Sequence, residues 1–447
     1  MSERKTGRLP LIAYAGPGLP IAVLEMPLIV YIVPFYAAEL GLELATIGGI
    51  FLIARMWDAI TDPVIGNLTD RTKTKWGRRK PWLLFGSPLL MIGVVAFLSP
   101  PEEIGKVYLG ITAFLFYIAW TLVQIPYLSW GAELSRDYSE RTRINSYRET
   151  GRMLGVLIAT VLPILVLSSP DPSIRDILGV YVVALLILIP LTTLLAVWIT
   201  PKGHYIENQD NSLFKALKIL PKNKPFLRFL CGIFSLWLGG AIFNTVIVFL
   251  FHHLLELPRS DFLKLVLLQY ILGIAFVPVW LKIADKIGRH RALVLGGFGF
   301  LAILPLYLLA TPGVFWHALM IFCVAGPMTS VIWVMPPALT ADTIEYGMMK
   351  GGSDHAALYM AMYNFVMKMA LAFGVGLAMP LLGALGFNPM GENTAEAMRG
   401  FVFVALFLPM IVGLPGALIL FNYPLTKSKH ATIRRYLSRK GMTELSE

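Results

Sequence analysis

The sequence has few charged residues, only two cysteines and no motif for nucleotide hydrolysis. Asp, Glu, Lys and Arg make up 15% of its 447 residues, whereas ordinary soluble domains carry about 25%. A chain that is 56% hydrophobic, with a mean hydropathy of +0.68, cannot cover itself with a polar surface in water. No glycine-rich loop followed by Lys-Ser or Lys-Thr is present, which argues against an ATP-driven motor. Cys231 and Cys323 both fall in apolar stretches, which argues against a disulfide or a cysteine metal site.

The sequence instead contains many long apolar stretches. About twenty apolar residues span a bilayer as a helix, and twelve such stretches can be marked along the chain. A β-barrel would show short alternating strands instead. The composition therefore predicts an all-α membrane protein with twelve transmembrane helices. The predicted spans are 11–40, 47–68, 81–100, 107–134, 148–168, 176–199, 229–253, 261–284, 293–312, 315–340, 356–386 and 400–422.

Lysine and arginine residues are distributed unevenly between the two alternating sets of loops. Of the 38 lysine and arginine residues, 30 lie in the N-terminal segment, in alternate loops and in the C-terminal segment, while five lie in the opposite loops and their flanks. This asymmetry predicts that both termini are cytoplasmic. The net charge of +11 is explained by topology, so it does not indicate nucleic-acid binding. The N-terminal segment leads straight into an apolar helix without a small-residue cleavage site, so no cleaved signal peptide is predicted.

A polar stretch at 200–228 divides the predicted helices six and six. Within it, a short segment with lysines on one face is typical of an interfacial helix. An internal repeat supports the division, because the loop containing Asp70 and Gly77-Arg78-Arg79 resembles the loop containing Asp285 and Gly288-Arg289. Repeats of six helices are typical of secondary transporters. We predict bundles at 1–199 and 229–425, a cytoplasmic linker at 200–228 and a cytoplasmic tail at 426–447.

The second predicted span carries charges inside an apolar helix. Arg55, Asp58 and Asp62 are spaced i, i+3, i+7 and share one face. Charged side chains at membrane depth are costly unless paired or hydrated, so they mark a site or a pathway. Two carboxylates, the Thr61 hydroxyl and a carbonyl left without its donor by Pro63 would suit a small cation. The alternative is a structural Arg–Asp clamp between helices, and the sequence leaves it open.

This block of residues resembles a known family. The run Ala54-Arg55, Asp58-Ala59, Asp62-Pro63 and Gly66, followed by Asp70-Arg71-Thr72, Gly77-Arg78 and Pro81-Trp82, is similar to the glycoside–pentoside–hexuronide:cation symporters of the major facilitator superfamily (MFS). Melibiose permease is a familiar member, and vertebrate sodium-dependent lysolipid transporters are relatives. The resemblance covers essentially the whole chain. It implies an MFS fold of two pseudo-symmetric six-helix bundles, alternating access, no enzymatic activity, and no cofactor other than a coupling ion, Na⁺ or H⁺.

The resemblance also implies a cation site. In the family, both carboxylates of the second helix, the residue between them and a threonine on the fourth helix bind the cation. These correspond here to Asp58, Asp62, Thr61 and Thr121, with Na⁺ held by Asp58 and Asp62 if it is the coupling ion. Melibiose permease has an asparagine where Thr61 stands, so the choice between Na⁺ and H⁺ stays open.

Lys368 and Arg55 are the expected coupling residues. Lys368 matches a family lysine near the cation site, and a buried ammonium needs a partner. We therefore expect Lys368 to pair with Asp58 or Asp62.

The residues expected to bind substrate differ from those of melibiose permease. That protein has an aspartate at the Gln124 position, another near Ala22 and a tryptophan at the Leu128 position. Arg148 matches a family arginine close to the substrate, where a guanidinium can fork to hydroxyls or to a carboxylate. The expected cargo is a sugar, glycoside or sugar acid, and the alternative is an amphiphile such as a lysophospholipid. Glu25 either serves as a substrate or proton group or pairs with a nearby cation or helix end. The expected substrate residues are Gln124, Arg148, Glu25, Asn364, Trp120 and Tyr127.

Other charges near the ends of the spans are expected to form a gate of ion pairs. We expect Glu133 to pair with the Arg148–Arg152 segment, while Asp342 and Glu345 match the family's Ala-Asp-x-x-(Asp/Glu)-Tyr-Gly. The expected gate residues are Glu133, Glu149, Arg152, Asp342 and Glu345.

The expected partners are a small-molecule substrate, a coupling cation and membrane lipid, in a multi-pass protein of the cell (inner) membrane. Two rival functions come from other classes. An intramembrane enzyme lacks support, because HExxH, GxSxG and His-rich clusters are absent from the sequence. A non-transporting membrane sensor remains, and it would bind ligand without flux in sealed vesicles.

Overall fold

The computed structural model describes residues 6–135, 137–203, 223–351, 356–425 and 427–439, and every regular element in these ranges is helical. Twelve helices are long and apolar enough to cross a membrane, as the sequence predicts. They are α1 (Arg8–Glu39), α2 (Leu44–Arg71), α3 (Lys80–Leu98), α4 (Lys106–Glu133), α5 (Tyr138–Val166), α6 (Ile174–Ile199), α7 (Lys224–His253), α8 (Arg259–Ile287), α9 (Arg289–Leu309), α10 (Phe315–Gly351), α11 (Ala356–Ala384) and α12 (Ala395–Phe421), followed by the shorter α13 (Lys427–Arg439).

The chain divides into two compact units. Unit 1 comprises Met1–Gln209 with Pro258–Leu263 and Met379–Asn393, and unit 2 comprises Asp210–Leu257, Lys264–Ala378 and Thr394–Glu447. Helices α1–α6 belong to unit 1, while α7, α9, α10, α12 and α13 belong to unit 2.

Helix α7 begins at Lys224, inside the segment predicted as a linker at 200–228, and the division at this segment stays a prediction. Asn223 caps this helix, its side-chain oxygen accepting a hydrogen bond from the Phe226 amide. The short interfacial helix predicted within the linker lies outside the described residues.

Helix α1 is wound irregularly where its prolines lie. Wider π-helical turns occur at Pro27–Tyr31 and Phe35–Glu39, each next to or containing a proline. Proline lacks the N–H that an α-helical turn would use, so such departures are expected. The most apolar window of α1 is 83% buried inside the protein. Its side chains therefore pack mainly against protein, and Glu25 has protein groups around it.

Helix α5 packs closely against α1 through two glycines one turn apart. A Cβ added to Gly151 would lie 2.5 Å from the Ala15 carbonyl oxygen, and one added to Gly155 would lie 2.4 Å from the Leu19 carbonyl oxygen. Small residues permit such close backbone approach between membrane helices. The contact sets the position of α5 along α1, and with it the positions of the charged residues of α5.

The loops before α3 and α9 share one conformation. Gly77 and Gly288 both have φ +95°, a region that residues with a side chain rarely adopt. Arg79 then contacts Glu133 at the end of α4, and Arg289 contacts Asp342 on α10. The arginines lie 210 positions apart and the carboxylates 209. The same contact thus occurs once in each unit, in agreement with the sequence repeat.

Candidate cation and substrate site

Asp58 and Asp62 of α2 meet Thr121 of α4 inside unit 1. Thr121 Oγ1 lies 2.7 Å from Asp58 Oδ1 and 3.2 Å from Asp62 Oδ1. Thr121 and Asp58 are buried, and Asp62 is half-buried. The spacing of four residues places the two carboxylates on one side of α2, one turn apart. The structure therefore brings three of the four expected cation-site side chains into direct contact.

In this contact a single hydroxyl, that of Thr121, faces two carboxylates, those of Asp58 and Asp62. A hydroxyl carries one proton, so Thr121 cannot fully satisfy both carboxylates. Two carboxylates that share a site repel, and one of them tends to bind a proton or a cation. Oxygen atoms of this kind are hard ligands, which suit small hard cations. The contact thus has the chemistry expected of a site for a small cation.

The side chains of Thr61 and Arg55 both donate hydrogen bonds to backbone carbonyl oxygens. Thr61 Oγ1 donates to the Asp58 carbonyl oxygen at 3.0 Å, so its proton is used on its own helix and only its lone pairs remain for a cation. Arg55 donates to the Leu28 carbonyl oxygen at 3.4 Å, and its guanidinium carbon lies 5.6 Å from the centre of the Tyr117 ring. Arg55 therefore ties α2 to α1 and α4.

Four charged side chains form a continuous row from α5 to α1. Arg148 donates to Glu149 Oε1 through Nη2 at 2.9 Å and through Nε at 3.3 Å. Arg152 donates through Nε to Glu149 Oε2 at 3.2 Å and through Nη1 to Glu25 Oε2 at 3.0 Å. Glu25 thus has a cation as its partner, which was one of the two readings that the sequence left open. We call Arg148, Glu149, Arg152 and Glu25 the α1–α5 charge row.

Aromatic and amide groups lie beside this row. The Tyr14 and Tyr127 rings are 5.1 Å apart, and the Tyr127 hydroxyl and the Arg148 backbone carbonyl both border Gly18 of α1. On the same helix as Tyr127, Trp120 Nε1 donates to Gln124 Oε1 at 2.7 Å. The expected substrate residues of unit 1 therefore lie on α1, α4 and α5.

Glu133 pairs with the loop before α3, so the expected pairing with the Arg148–Arg152 segment is wrong. Glu133 Oε1 lies 2.9 Å from Arg78 Nη2 and 2.6 Å from Arg79 Nη2. Arg79 also contacts Asp70 at the end of α2. The turn at Gly77 directs both arginines toward the ends of α2 and α4, and this places them nearest to Glu133.

The expected gate residues of unit 2 contact α13. His430 Nε2 of α13 lies 2.9 Å from Glu345 Oε2 and 3.3 Å from Asp342 Oδ1, both on α10. Sequence reasoning missed His430, because one histidine in a basic tail carries no signal of a distant partner.

The remaining expected residues lie on α11, where Asn364 is exposed and Lys368 is half-buried. The pairing of Lys368 with Asp58 or Asp62 would join the two units, and it stays a prediction.

The twelve apolar helices of the described residues indicate a multi-pass membrane protein, and α2 and α5 carry charged side chains within their spans. The chain matches the family "MFS/sugar transport protein" over residues 13–427 and belongs to it. Because the members of this family are transporters, the protein is a transporter and not an enzyme.

Known proteins agree with this assignment. The uncharacterized symporter YjmB of Bacillus subtilis (strain 168) is 28% identical over 92% of this chain and 91% of its own. The glucuronide carrier protein homolog of Escherichia coli (strain K12) is 25% identical over 90% of this chain and 89% of its own. These matches confirm the resemblance to the glycoside–pentoside–hexuronide:cation symporters.

A solved structure agrees with the fold. A bacterial homolog of the human lysosomal transporter Spinster, in an inward-facing and unoccupied conformation, has a TM-score of 0.66 at 12% identity and covers 96% of each chain. At this identity the likeness concerns the fold alone.

Proposed function

We propose that this protein is a cation-coupled symporter of a sugar, glycoside or sugar acid. It would reside in the cell (inner) membrane with both termini in the cytoplasm and work by alternating access between two bundles. The observation that carries the proposal is the approach of Asp58 and Asp62 to one hydroxyl, that of Thr121. The symporter and the glucuronide carrier homolog among the relatives support coupling and a sugar-like cargo.

The cation would act by relieving charge at this site. With the site empty, closing it off from water leaves two carboxylates facing each other in a medium that penalises charge. A bound Na⁺ or H⁺ removes that penalty, so closure becomes favourable only when the site is loaded. A ligand shifts a conformational equilibrium only by its differential affinity for the two states. The differential affinity here comes from the repulsion that the cation removes.

Lys368 would complete the cycle. As the cation leaves, the Lys368 ammonium would neutralise the carboxylate of Asp58 or Asp62. This ion pair would stabilise the empty carrier while it returns to its starting conformation. Arg55 would hold α2 at a fixed place against α1 and α4 during this exchange, through the contacts described above. The ion pairs of Glu133 and Asp342 with their arginines would act as gate contacts at the ends of α4 and α10.

The substrate would lie beside the α1–α5 charge row. Arg148 offers a guanidinium fork for hydroxyls or a carboxylate, and Trp120 and Tyr127 offer ring faces and edges for a pyranose. Gln124, Glu25 and Asn364 are the remaining groups able to hydrogen-bond a polyol.

A lysophospholipid is the second candidate cargo. Leu128 of α4 is 38% exposed and one turn from Gln124, where it would offer an apolar surface to an acyl chain. Competition assays with both classes of compound separate the two cargoes.

The decisive test is uptake into proteoliposomes under an imposed Na⁺ or H⁺ gradient. We expect accumulation of a sugar, glycoside or uronide against its gradient, which Asp58→Asn and Asp62→Asn abolish while counterflow exchange survives. Normal accumulation by both variants at low Na⁺ and high pH would place the cation site elsewhere. Binding without flux in the wild-type protein would favour the sensor.

A further inference from the structure

Glu149 occupies a position that suits a carboxylate from outside the chain. Its two oxygens go to different arginines, Oε1 to Arg148 and Oε2 to Arg152. A carboxylate held between two guanidinium groups is among the strongest hydrogen-bonded arrangements in proteins. The structure therefore contains a formed two-arginine clamp for one planar carboxylate, and Glu149 shows where that carboxylate lies.

The occupant of this clamp can leave it. The Glu149 side chain is 48% exposed, whereas the Arg148 side chain is only 23% exposed. An ionised carboxylate is far less costly in water than in lipid, so we expect its exposed side to border water. Glutamate has three rotatable side-chain bonds, and rotation about them moves its carboxylate out of the clamp without moving α5.

The arginines, in contrast, are held in place. Glu25 on α1 binds Arg152 Nη1 at 3.0 Å and leaves the Nε edge directed at Glu149. Gly151 sets α5 against the Ala15 carbonyl oxygen, so the helix that carries both arginines cannot slide along α1. Arg152 thus has a partner on α1 that holds it, whereas Glu149 has the most exposed side chain of the α1–α5 charge row.

The charge balance selects an anion as the incoming group. The α1–α5 charge row holds two arginines and two glutamates and is neutral as a whole. Among the four side chains of the row, rotation of Glu149 into water leaves two guanidinium groups with the carboxylate of Glu25. A neutral sugar cannot restore this balance, but one carboxylate can.

We propose that Arg148 and Arg152 form the subsite for the carboxylate of a sugar acid, and that Glu149 fills this subsite in the empty transporter. The inference rests on the proposed function and narrows its substrate class to uronic acids and uronides. Glu149 then acts as an internal competitor, which lowers the apparent affinity by the fraction of time it occupies the clamp. Glu25 is a positioning residue for Arg152.

The test compares acidic sugars with their neutral partners on the purified full-length protein. Binding would be measured by thermal shift and titration with methyl β-D-glucuronide against methyl β-D-glucoside, and with D-galacturonate against D-galactose. We expect at least one acid to bind about tenfold or more tightly than its partner, the difference expected for a charge-assisted hydrogen bond.

The variants assign this preference to residues. Glu149→Gln removes the competitor and should tighten acid binding several-fold, leaving the neutral partner within about twofold. Arg152→Gln should reduce the acid to the affinity of its neutral partner. Arg143→Gln is the matched control, because Arg143 also lies on α5 but pairs with Glu140 at 3.2 Å. If Arg152→Gln folds poorly, the nearly isosteric Glu149→Gln decides alone.

Each contrary result has a distinct meaning. Two results would show that the contact of Glu149 with Arg148 and Arg152 has a structural role only: neutral sugars bind as tightly as acids, or Glu149→Gln weakens acid binding. The proposed function would stand in both cases. If no sugar binds, both the inference and the proposed cargo are wrong. If lysophosphatidylcholine binds and this binding is lost in Arg152→Gln, the anion is a lipid phosphate and not a sugar acid.

Discussion

The Thr121 hydroxyl lies 2.7 Å from Asp58 Oδ1, so α4 is in direct contact with the acidic side of α2. Thr121→Val replaces this hydroxyl with a methyl group of similar shape. In the proposed Na⁺ site the Thr121 oxygen is a ligand, and polar contacts to charged groups contribute about 1.5–3 kcal/mol, so with Na⁺ as the coupling ion we expect the apparent affinity to fall by roughly ten- to a hundredfold. With H⁺ as the coupling ion we expect the opposite direction, because the hydroxyl donates to the ionised acid and so opposes its protonation. The measurement is the Na⁺ and pH dependence of uptake in proteoliposomes. Thr121→Ser keeps the hydroxyl and should stay close to wild type; equal behaviour of the two variants would remove Thr121 from the cation site.

The two equivalent arginine contacts should differ in their effect on stability. Arg79 is 4% exposed and its partner Glu133 is 5% exposed, whereas Arg289 is 47% exposed. Removing one partner of a buried ion pair costs about 3–5 kcal/mol, while exposed pairs contribute about 0–1 kcal/mol. We expect Arg79→Gln to lower the apparent Tm in detergent far more than Arg289→Gln does. Equal decreases would mean that burial does not govern these contacts.

The glycine contact between α1 and α5 predicts a large effect of a single methyl group. A Cβ at position 155 would lie 2.4 Å from the Leu19 carbonyl oxygen, so Gly155→Ala must push α5 away from α1. Overpacking of this kind costs about 1–3 kcal/mol, and it also separates Arg152 from Glu25. We expect a lower apparent Tm together with weaker substrate binding.

Gly110 provides the matched control for this substitution. It lies within α4 with open space where a Cβ would be, and alanine favours helix over glycine by up to about 1 kcal/mol. Gly110→Ala should therefore leave the apparent Tm unchanged or raise it slightly. A similar decrease in both variants would contradict the packing argument.

The contact of His430 with Glu345 predicts how α13 is held. His430→Ala removes the side chain that lies between the two carboxylates of α10, while Ile433 and Leu437 remain buried. We expect faster amide hydrogen exchange across Lys427–Arg439 with the rest of unit 2 unaffected. Lys429→Ala, at an exposed neighbouring position, should exchange as the wild type does. Unchanged exchange in His430→Ala would show that the apolar side chains alone hold α13.

The sequence predicted the helices well because membrane spans are set by length and hydropathy. All twelve predicted spans correspond to helices, and the largest extension is α10, which continues to Gly351 past the predicted end at 340. The facing of Asp58 and Asp62 also followed from the sequence, because the helical period fixes it. Contacts between helices did not follow in the same way. Neither the pairing of Glu133 with Arg78 and Arg79 nor the contact of His430 with α10 is coded by any local pattern, since both depend on how loops fold back.

The contacts of Glu133 and Asp342 differ in where their positive charges come from. Among the described residues, Glu133 contacts two arginines of a single turn, whereas Asp342 contacts Arg289 of the matching turn and His430 of α13, 88 positions further on. The described contact in unit 1 is thus formed within the repeated segment, whereas the one in unit 2 also includes α13. A fusion partner or a proteolytic nick next to α13 would then disturb the contact of Asp342 and leave that of Glu133 in place, which argues against an affinity tag beside this helix.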